Sequence, residues 1–228
     1  MQPSKRLSQI QLDFHDNSYP KLTQEGKVGR YHKFSHQFLE NTVTSDEYFK
    51  VTLEVGAGGG EHFEFVRQNF DQYFQTDIRA DNTVSKDSRI IKIVCDAKDI
   101  PMPNASCDRI IVTCLLHHLD DPMSALFEFR RLLKKGGVLS ILIPGDPGFL
   151  YRLLRLISSE RQLRKLGFKH GKLLHAVEHR NHVQSLIEQV NFIFVKDKVK
   201  LKSWPIKLNR IWNFNLLFAF RIEKLSEN

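Results

Sequence analysis

The chain has 228 residues, 41% of them hydrophobic and 17 of them Phe, which is enough apolar mass for a full core and excludes a disordered chain. No apolar run approaches the ~20 residues of a membrane span, and Met1 is not followed by the apolar stretch of a secretory signal. Cys95, Cys107 and Cys114 are odd in number and in no metal spacing, so a reducing, cytoplasmic setting is expected. The net charge of +8 is uneven: residues 1–150 hold 18 Lys and Arg against 20 Asp and Glu, residues 151–228 hold 16 against 6. A basic last third suits phosphates, anionic lipid or nucleic acid, and equally a plain solvated face.

Residues 1–48 are polar, with a helix expected from about Tyr31 to Leu39. Tyr48–Val55 reads as a buried strand, followed by glycine at 56, 58, 59 and 60 and a helix over Glu61–Asn69. Short strands are expected at Tyr73–Thr76, Ile90–Cys95 and Cys107–Cys114. Ala125, Leu126, Phe129, Leu132 and Leu133 at helical spacing predict a helix over Pro122–Leu133, stopped by Gly136-Gly137. A fifth strand follows at Val138–Ile143. Strands alternating with helices predict an α/β fold, a parallel sheet joined by right-handed crossovers.

Beyond Pro144-Gly145-Asp146-Pro147-Gly148 the texture changes. Phe149–Ile157 predicts a helix with Phe149, Leu150, Leu153, Leu154, Leu156 and Ile157 on one face and Arg152 and Arg155 off it. Asn181 is the expected N-cap of a helix from His182 to Val190. Phe192–Ser203 and Asn215–Lys224 read as two strands of a closing hairpin at the sheet edge. With no repeat and no linker, one domain is expected: a helical cap (1–48), a core (49–143), a substrate-lining helical segment (144–190) and the hairpin (191–228).

The stretch Val51–Gly60 carries the most information. Strand, glycine-rich turn and helix open a nucleotide-binding unit, and an acid about 20 residues on binds ribose hydroxyls. Asp77 stands in that place. The dinucleotide fingerprint G-x-G-x-x-G fails because position 61 is Glu, whose carboxylate would face a pyrophosphate, and a frame taken from Gly58 fails at Phe63. What fits is E-x-G-x-G-x-G, with Glu54, Gly56, Gly58 and Gly60. That frame suits a cationic ligand without phosphates, which favours S-adenosylmethionine over NAD.

Four segments in order carry a family resemblance: Leu53–Gly60; Thr76-Asp77-Ile78; Cys95-Asp96-Ala97 with Ile100–Pro103 and Ser106–Asp108; and Leu115–Pro122 with Phe129–Gly137. Over about residues 27–150 the chain resembles the class I S-adenosylmethionine-dependent methyltransferases, in particular the small-molecule, ubiquinone/menaquinone-type branch. Lys135 stands where that pattern usually has proline before the paired glycines. The resemblance implies a Rossmann-like doubly wound seven-stranded sheet, mostly parallel with a C-terminal antiparallel hairpin strand. It implies S-adenosylmethionine as cofactor, S-adenosylhomocysteine as product, and no metal. Gly56, Ala57 and Gly58 then pass under the methionine moiety and Glu54 anchors its amino end. Asp77 holds the ribose and Ile78 packs on the adenine. Asp96 and the Ala97 backbone meet the adenine edge, and Thr113 offers a carbonyl near the amino group. Tyr31 matches a segment that folds over the cofactor, with core packing as the plain alternative.

Methyl transfer is an in-line displacement that needs the nucleophile held about 3–3.5 Å from the methyl carbon and water kept out. His117 and His118 stand where the family's active-site strand opens into its loop, and His117 is the candidate base or substrate-orienting group. Bracing of the loop is the plain alternative. His179 and Arg180 are candidate substrate contacts. His175, His179 and His182 would share a face if helical, but no carboxylate or Cys completes a metal set at matching spacing, so no metal is expected.

The leading expectation is a methyltransferase for a small, anionic metabolite or a carrier- or nucleotide-linked intermediate, without stable nucleic-acid binding. RNA methylation is the first alternative, although Thr113-Cys114-Leu115-Leu116 replaces the Asn/Asp-Pro-Pro-aromatic tetrad of amino-group nucleic-acid methylases. A weak membrane-surface contact through Phe149–Ile157, with a lipid or quinone-precursor acceptor, is the second. A non-catalytic cofactor-binding scaffold is the third.

Overall fold

The computed structural model describes residues 3–24, 26–79, 87–208 and 211–226. Strands β1 (Val51–Val55), β2 (Gln72–Asp77), β3 (Ile90–Val94), β4 (Cys107–Thr113), β5 (Leu133–Pro144), β6 (Lys198–Trp204) and β7 (Leu217–Glu223) form one sheet in the order β3-β2-β1-β4-β5-β7-β6. Strands β1 to β5 pair in parallel, and β7 runs antiparallel to both β5 and β6. This is the expected Rossmann-like sheet with its antiparallel C-terminal strand. Ile110, Ile111 and Val112 of β4 are fully buried, as β-branched residues are in a strand covered on both faces. The strand order reverses between β1 and β4, and such a switch point opens a crevice beyond the carboxyl ends of those strands.

The helices are α1 (Pro3–Asp13), α2 (Tyr19–Gln24), α3 (Gly26–Glu40), α4 (Pro122–Leu132), α5 (Phe149–Ile157), α6 (Ser159–Lys165), α7 (Gly171–Glu178) and α8 (Val183–Ile193). Leu126 and Phe129 of α4 pack with Leu186 and Val190 of α8 on one face of the sheet. Leu39 of α3 and Leu150 and Leu154 of α5 pack on the other. Phe14 and Leu22 from the N-terminal segment join Leu163, Phe168 and Leu174, so α1 and α2 lean on α6 and α7.

Several boundaries differ from the sequence expectations. Glu61–Phe65 is a single 3-10 turn, and Val66 is already extended. Its side chains are committed elsewhere: His62 bonds Glu40, and the Phe63 ring meets Phe70 and Tyr73. The α4 helix, capped by Asp121 at the Ser124 N–H, stops at Leu132 before the paired glycines. Gly136 and Gly137 lie inside β5, where the register with β4 shifts between Cys107↔Leu133 and Arg109↔Val138. A Cβ on Gly137 would sit 2.9 Å from the Lys134 carbonyl oxygen, so glycine serves a bulge there rather than a helix stop. Phe192 belongs to α8, and β6 begins only at Lys198. Asn181 does not cap α8. Its side-chain amide donates to the carbonyls of Leu116 and Leu119, tying α8 to the loop after β4.

A buried polar chain joins α3 to the sheet. His32, His36 and Glu40 recur every four residues and so share one helix face. His36 lies 2.8 Å from the His62 ring nitrogen, His62 lies 2.9 Å from Glu40, and Arg109 of β4 donates to Glu40 at 2.7 and 3.2 Å. Burial, reinforced by His62, holds the His32 imidazole down at about 4, so it is neutral at neutral pH.

Candidate active site

The site lies at the carboxyl ends of β1, β2, β4 and β5. The N–H groups of Gly56 and Ala57 donate to the Thr76 carbonyl, pinning the glycine loop against β2. Gly56 has φ +71°, and a Cβ there would meet a Leu115 methyl at 2.9 Å. Gly58 has φ +55°, and its N–H donates to the Asp77 carboxylate at 2.9 Å. The other Asp77 oxygen accepts from the Arg79 N–H. Two backbone donors thus fix the plane of the Asp77 carboxylate and leave lone pairs for further acceptance. Ala57, Gly58, Asp77 and Arg79 line one cleft, beside which Ile78 is 71% exposed.

Glu54 is buried beneath the loop. One carboxylate oxygen accepts from the Tyr73 hydroxyl and the Gln75 amide, both at 3.0 Å, and the other has no partner. Burial pushes this carboxyl up. An unpaired buried acceptor beside a side-chain-free cradle fits the amino end of S-adenosylmethionine, and the Asp77 carboxylate fits its ribose diol. Asp96 accepts from the Lys98 N–H and turns back on Asp99, while Ala97 packs on the core. Thr113, the last residue of β4, stays in register with Leu142. After it Cys114 takes φ +50°, a backbone conformation rare for a residue with a side chain and concentrated at functional sites.

The second half of the site is a group of imidazoles. The rings of His117 and His118 lie 4.0 Å apart, His117 and His179 4.5 Å, and His175 and His179 3.9 Å. The His179 Nδ1 lies 3.0 Å from an Asp146 carboxylate oxygen, and His175 Nε2 lies 3.2 Å from the same atom. The His118 Nδ1 meets the Glu178 carbonyl at 3.2 Å. His117 is 3% exposed, with no partner for its buried Nδ1. Burial, then the neighbouring imidazoles of His118, His179 and His175, hold His117 well below the usual histidine range. The N–H groups of Arg180 and Asn181 both donate to the His117 carbonyl, so the turn after α7 clamps the loop that carries the histidines. The Arg180 side chain is exposed and folds back to the Val177 carbonyl.

The fold therefore brings together His117, His118 and His179, and adds Asp146 and His175. Asp146 was legible only as part of a Pro-Gly-Asp-Pro-Gly turn, although its place just beyond β5 was a usable signal. His182, expected on one face with His175 and His179, instead precedes α8 in extended conformation, because α7 ends at Glu178. Tyr31 donates to the Leu216 carbonyl at 3.1 Å and lies within electrostatic range of Tyr151 and Cys114. Tyr19 and Tyr151 were missed in the sequence. Tyr19, the first residue of α2, packs its ring against Phe14 and His15. His15 and Gln11 both reach the Glu178 carboxylate, tethering α1 to the end of α7.

Residues 53–141 match the family model of a methyltransferase domain. The glycine loop, Asp77 and the end of β4 all fall within the matched span. It is 29% identical over 124 residues to the mitochondrial arginine-hydroxylase NDUFAF5 of Rattus norvegicus, covering 50% of this chain and 35% of the relative. It is 30% identical over 92 residues to the tRNA (carboxymethyluridine(34)-5-O)-methyltransferase ALKBH8 of Mus musculus, covering 38% of this chain and 13% of that one. The chain therefore spans about a third or less of the length of these curated relatives. Among solved structures, the N-methyltransferase NodS of Bradyrhizobium japonicum, with S-adenosylhomocysteine bound, aligns with TM-score 0.64 at 13% identity over 96% of this chain and 98% of its own. A possible histamine N-methyltransferase of Thermotoga maritima aligns with TM-score 0.63 at 17% identity, over 95% and 99%. At such identities these two share the fold.

Proposed function

We propose that the protein transfers a methyl group from S-adenosylmethionine to a small acceptor carrying an anionic or polar oxygen-rich group. The observation that carries the donor half is the Glu54–Gly56–Gly58–Asp77 cradle, with an unpaired carboxylate oxygen at one end and a backbone-held carboxylate at the other. When bound, S-adenosylmethionine supplies an electrophilic methyl on a sulfonium. Asp77 and Glu54 orient the donor from its two ends. Tyr31 and Tyr151 exclude water from the Cys114 side. The imidazoles of His117, His118 and His179 orient the acceptor. The orienting role suits His117 better than that of a base, because burial makes its imidazole a poor proton acceptor.

The test is thermal unfolding of cofactor-free protein. S-Adenosylmethionine at about 100 times its Kd stabilises by ~2.7 kcal/mol, and NAD at the same concentration leaves the melting temperature unchanged. A shift with NAD alone, or none with either, sinks the reading.

A second reading, in which the acceptor is drawn from a membrane surface, is favoured by one observation. Phe149, Leu153, Leu156 and Ile157 leave one side of α5 apolar and exposed, Phe149 at 59% and Ile157 at 60%, while Leu150 and Leu154 hold its other side to the sheet. Phe214, whose ring meets Phe149, extends the patch, and Arg152 on the same helix is exposed. No helix among the described residues is long and apolar enough to cross a membrane, so such a contact would be superficial. Vesicles containing phosphatidylglycerol should float the wild type and not a Phe149→Ser/Ile157→Ser variant. Equal recovery of both in the unbound fraction removes this reading.

A further inference from the structure

We propose that His117, His118 and His179 bind a divalent transition-metal ion of the zinc type, with Asp146 as the outer partner that orients His179. One nitrogen from each of the three rings lies within 4.8 Å of one on each of the others. The rings of His117, His118 and His179 converge, and the buried His117 Nδ1 among them has no hydrogen-bond partner. A buried polar atom without a partner calls for a water or an ion, and imidazole nitrogens select zinc, copper, nickel or iron over magnesium or calcium.

The surrounding hydrogen bonds prepare the rings as ligands. A metal-binding histidine typically donates its second ring N–H to a carboxylate or a backbone carbonyl. His179 has Asp146 in that role at 3.0 Å, and His118 has the Glu178 carbonyl at 3.2 Å. With Nδ1 carrying the proton in both, Nε2 keeps its lone pair free. The ligands also sit on a fixed frame. His117 and His118 lie in the loop after β4, and the Arg180 and Asn181 N–H groups lock that loop to the turn bearing His179. Asp146 stands two residues beyond the end of β5, and its carbonyl accepts from the Val183 N–H.

Three protein ligands leave a fourth position of a tetrahedral ion open. Metal binding itself stands on the histidine geometry alone. Use of the open position to hold an acceptor oxygen rests on the methyltransferase reading. A neighbouring arrangement, Asp146, His175 and His179, also brings ligand atoms together. There one nitrogen of each His already has Asp146 as its carboxylate partner, and none of the three side chains carries an orphaned buried atom. The three-histidine set is the one with the orphaned atom.

The experiment uses untagged full chain, stripped with a chelator and titrated with Co²⁺, then with Zn²⁺ in competition against a chromophoric chelator. The expected result is one tightly held ion per chain and the visible absorption of four-coordinate cobalt. His118→Ala and His118→Gln should each remove that absorption, with folding checked by circular dichroism. Asp146→Asn should weaken affinity about 10–100-fold, as loss of an outer carboxylate does. His175→Ala should change it less than threefold. Absence of the cobalt signal in the wild type overturns the proposal, as does its loss in His175→Ala with retention in His118→Ala. Stabilisation by S-adenosylmethionine, measured on the same metal-free protein, reports separately on the methyltransferase reading.

Discussion

Replacing Gly56 with valine should weaken S-adenosylmethionine binding by more than 100-fold while the chain still folds. The expectation rests on two independent obstacles at one position. The backbone holds φ at +71°, where a β-branched residue is a strained outlier, and a Cβ would lie 2.9 Å from Leu115. Relief of either moves the loop away from the Thr76 carbonyl and breaks the line from the Gly58 N–H to Asp77. Isothermal titration of wild type, Gly56→Ala and Gly56→Val should rank them in that order. Adding Leu115→Ala to Gly56→Val removes the clash but not the strain, so binding should recover only in part. Wild-type affinity in Gly56→Val, within threefold, would mean that the loop is not the cofactor cradle.

The largest effect on stability is expected at Arg109. This side chain is fully buried and donates to both Glu40 oxygens, to Ser140 and to Gln68. Removing one partner of a buried ion pair strands the other, at a cost of about 3–5 kcal/mol. Arg109→Met should lose roughly that much in urea unfolding at pH 7, and Arg109→Met/Glu40→Gln should regain most of it. A loss under 1 kcal/mol in the single variant would contradict the buried-pair account. The pH dependence follows from the same contact. Burial alone pushes the Glu40 carboxyl up, but Arg109 and His62 more than offset it and hold it at about 2 against an ordinary 4.5. A depressed carboxyl contributes fully above its unfolded pKa and loses that contribution as pH falls through its folded one. The wild-type advantage over Arg109→Met should therefore hold above about pH 4.5 and fade toward pH 2.

The donor half of the site was legible because its requirements are local. Gly56 and Gly58 are needed for backbone conformation, Asp77 follows at the distance one strand imposes, and both signals survive in a linear reading. The Phe149–Ile157 helix was legible for a similar reason, since its apolar period is continuous. The Glu61–Asn69 helix was not, because propensity there yields to His62 and Phe63, which reach partners in α3 and β2. The carboxylate partner of His175 and His179 was not legible along the chain, because Asp146 stands 29 positions before His175 and meets it only through the fold.

By itself, then, the sequence determined the class of sheet, the glycine frame and the preference for S-adenosylmethionine, because each depends on residues close together in the chain. Tertiary structure alone decided which histidines meet, which carboxylate holds His175 and His179, and that Gln11 of α1 reaches Glu178 beside them. His179 meets Asp146 across 33 positions and His15 meets Glu178 across 163, and such partners are selected by burial and by the hydrogen bonds that buried polar groups must find.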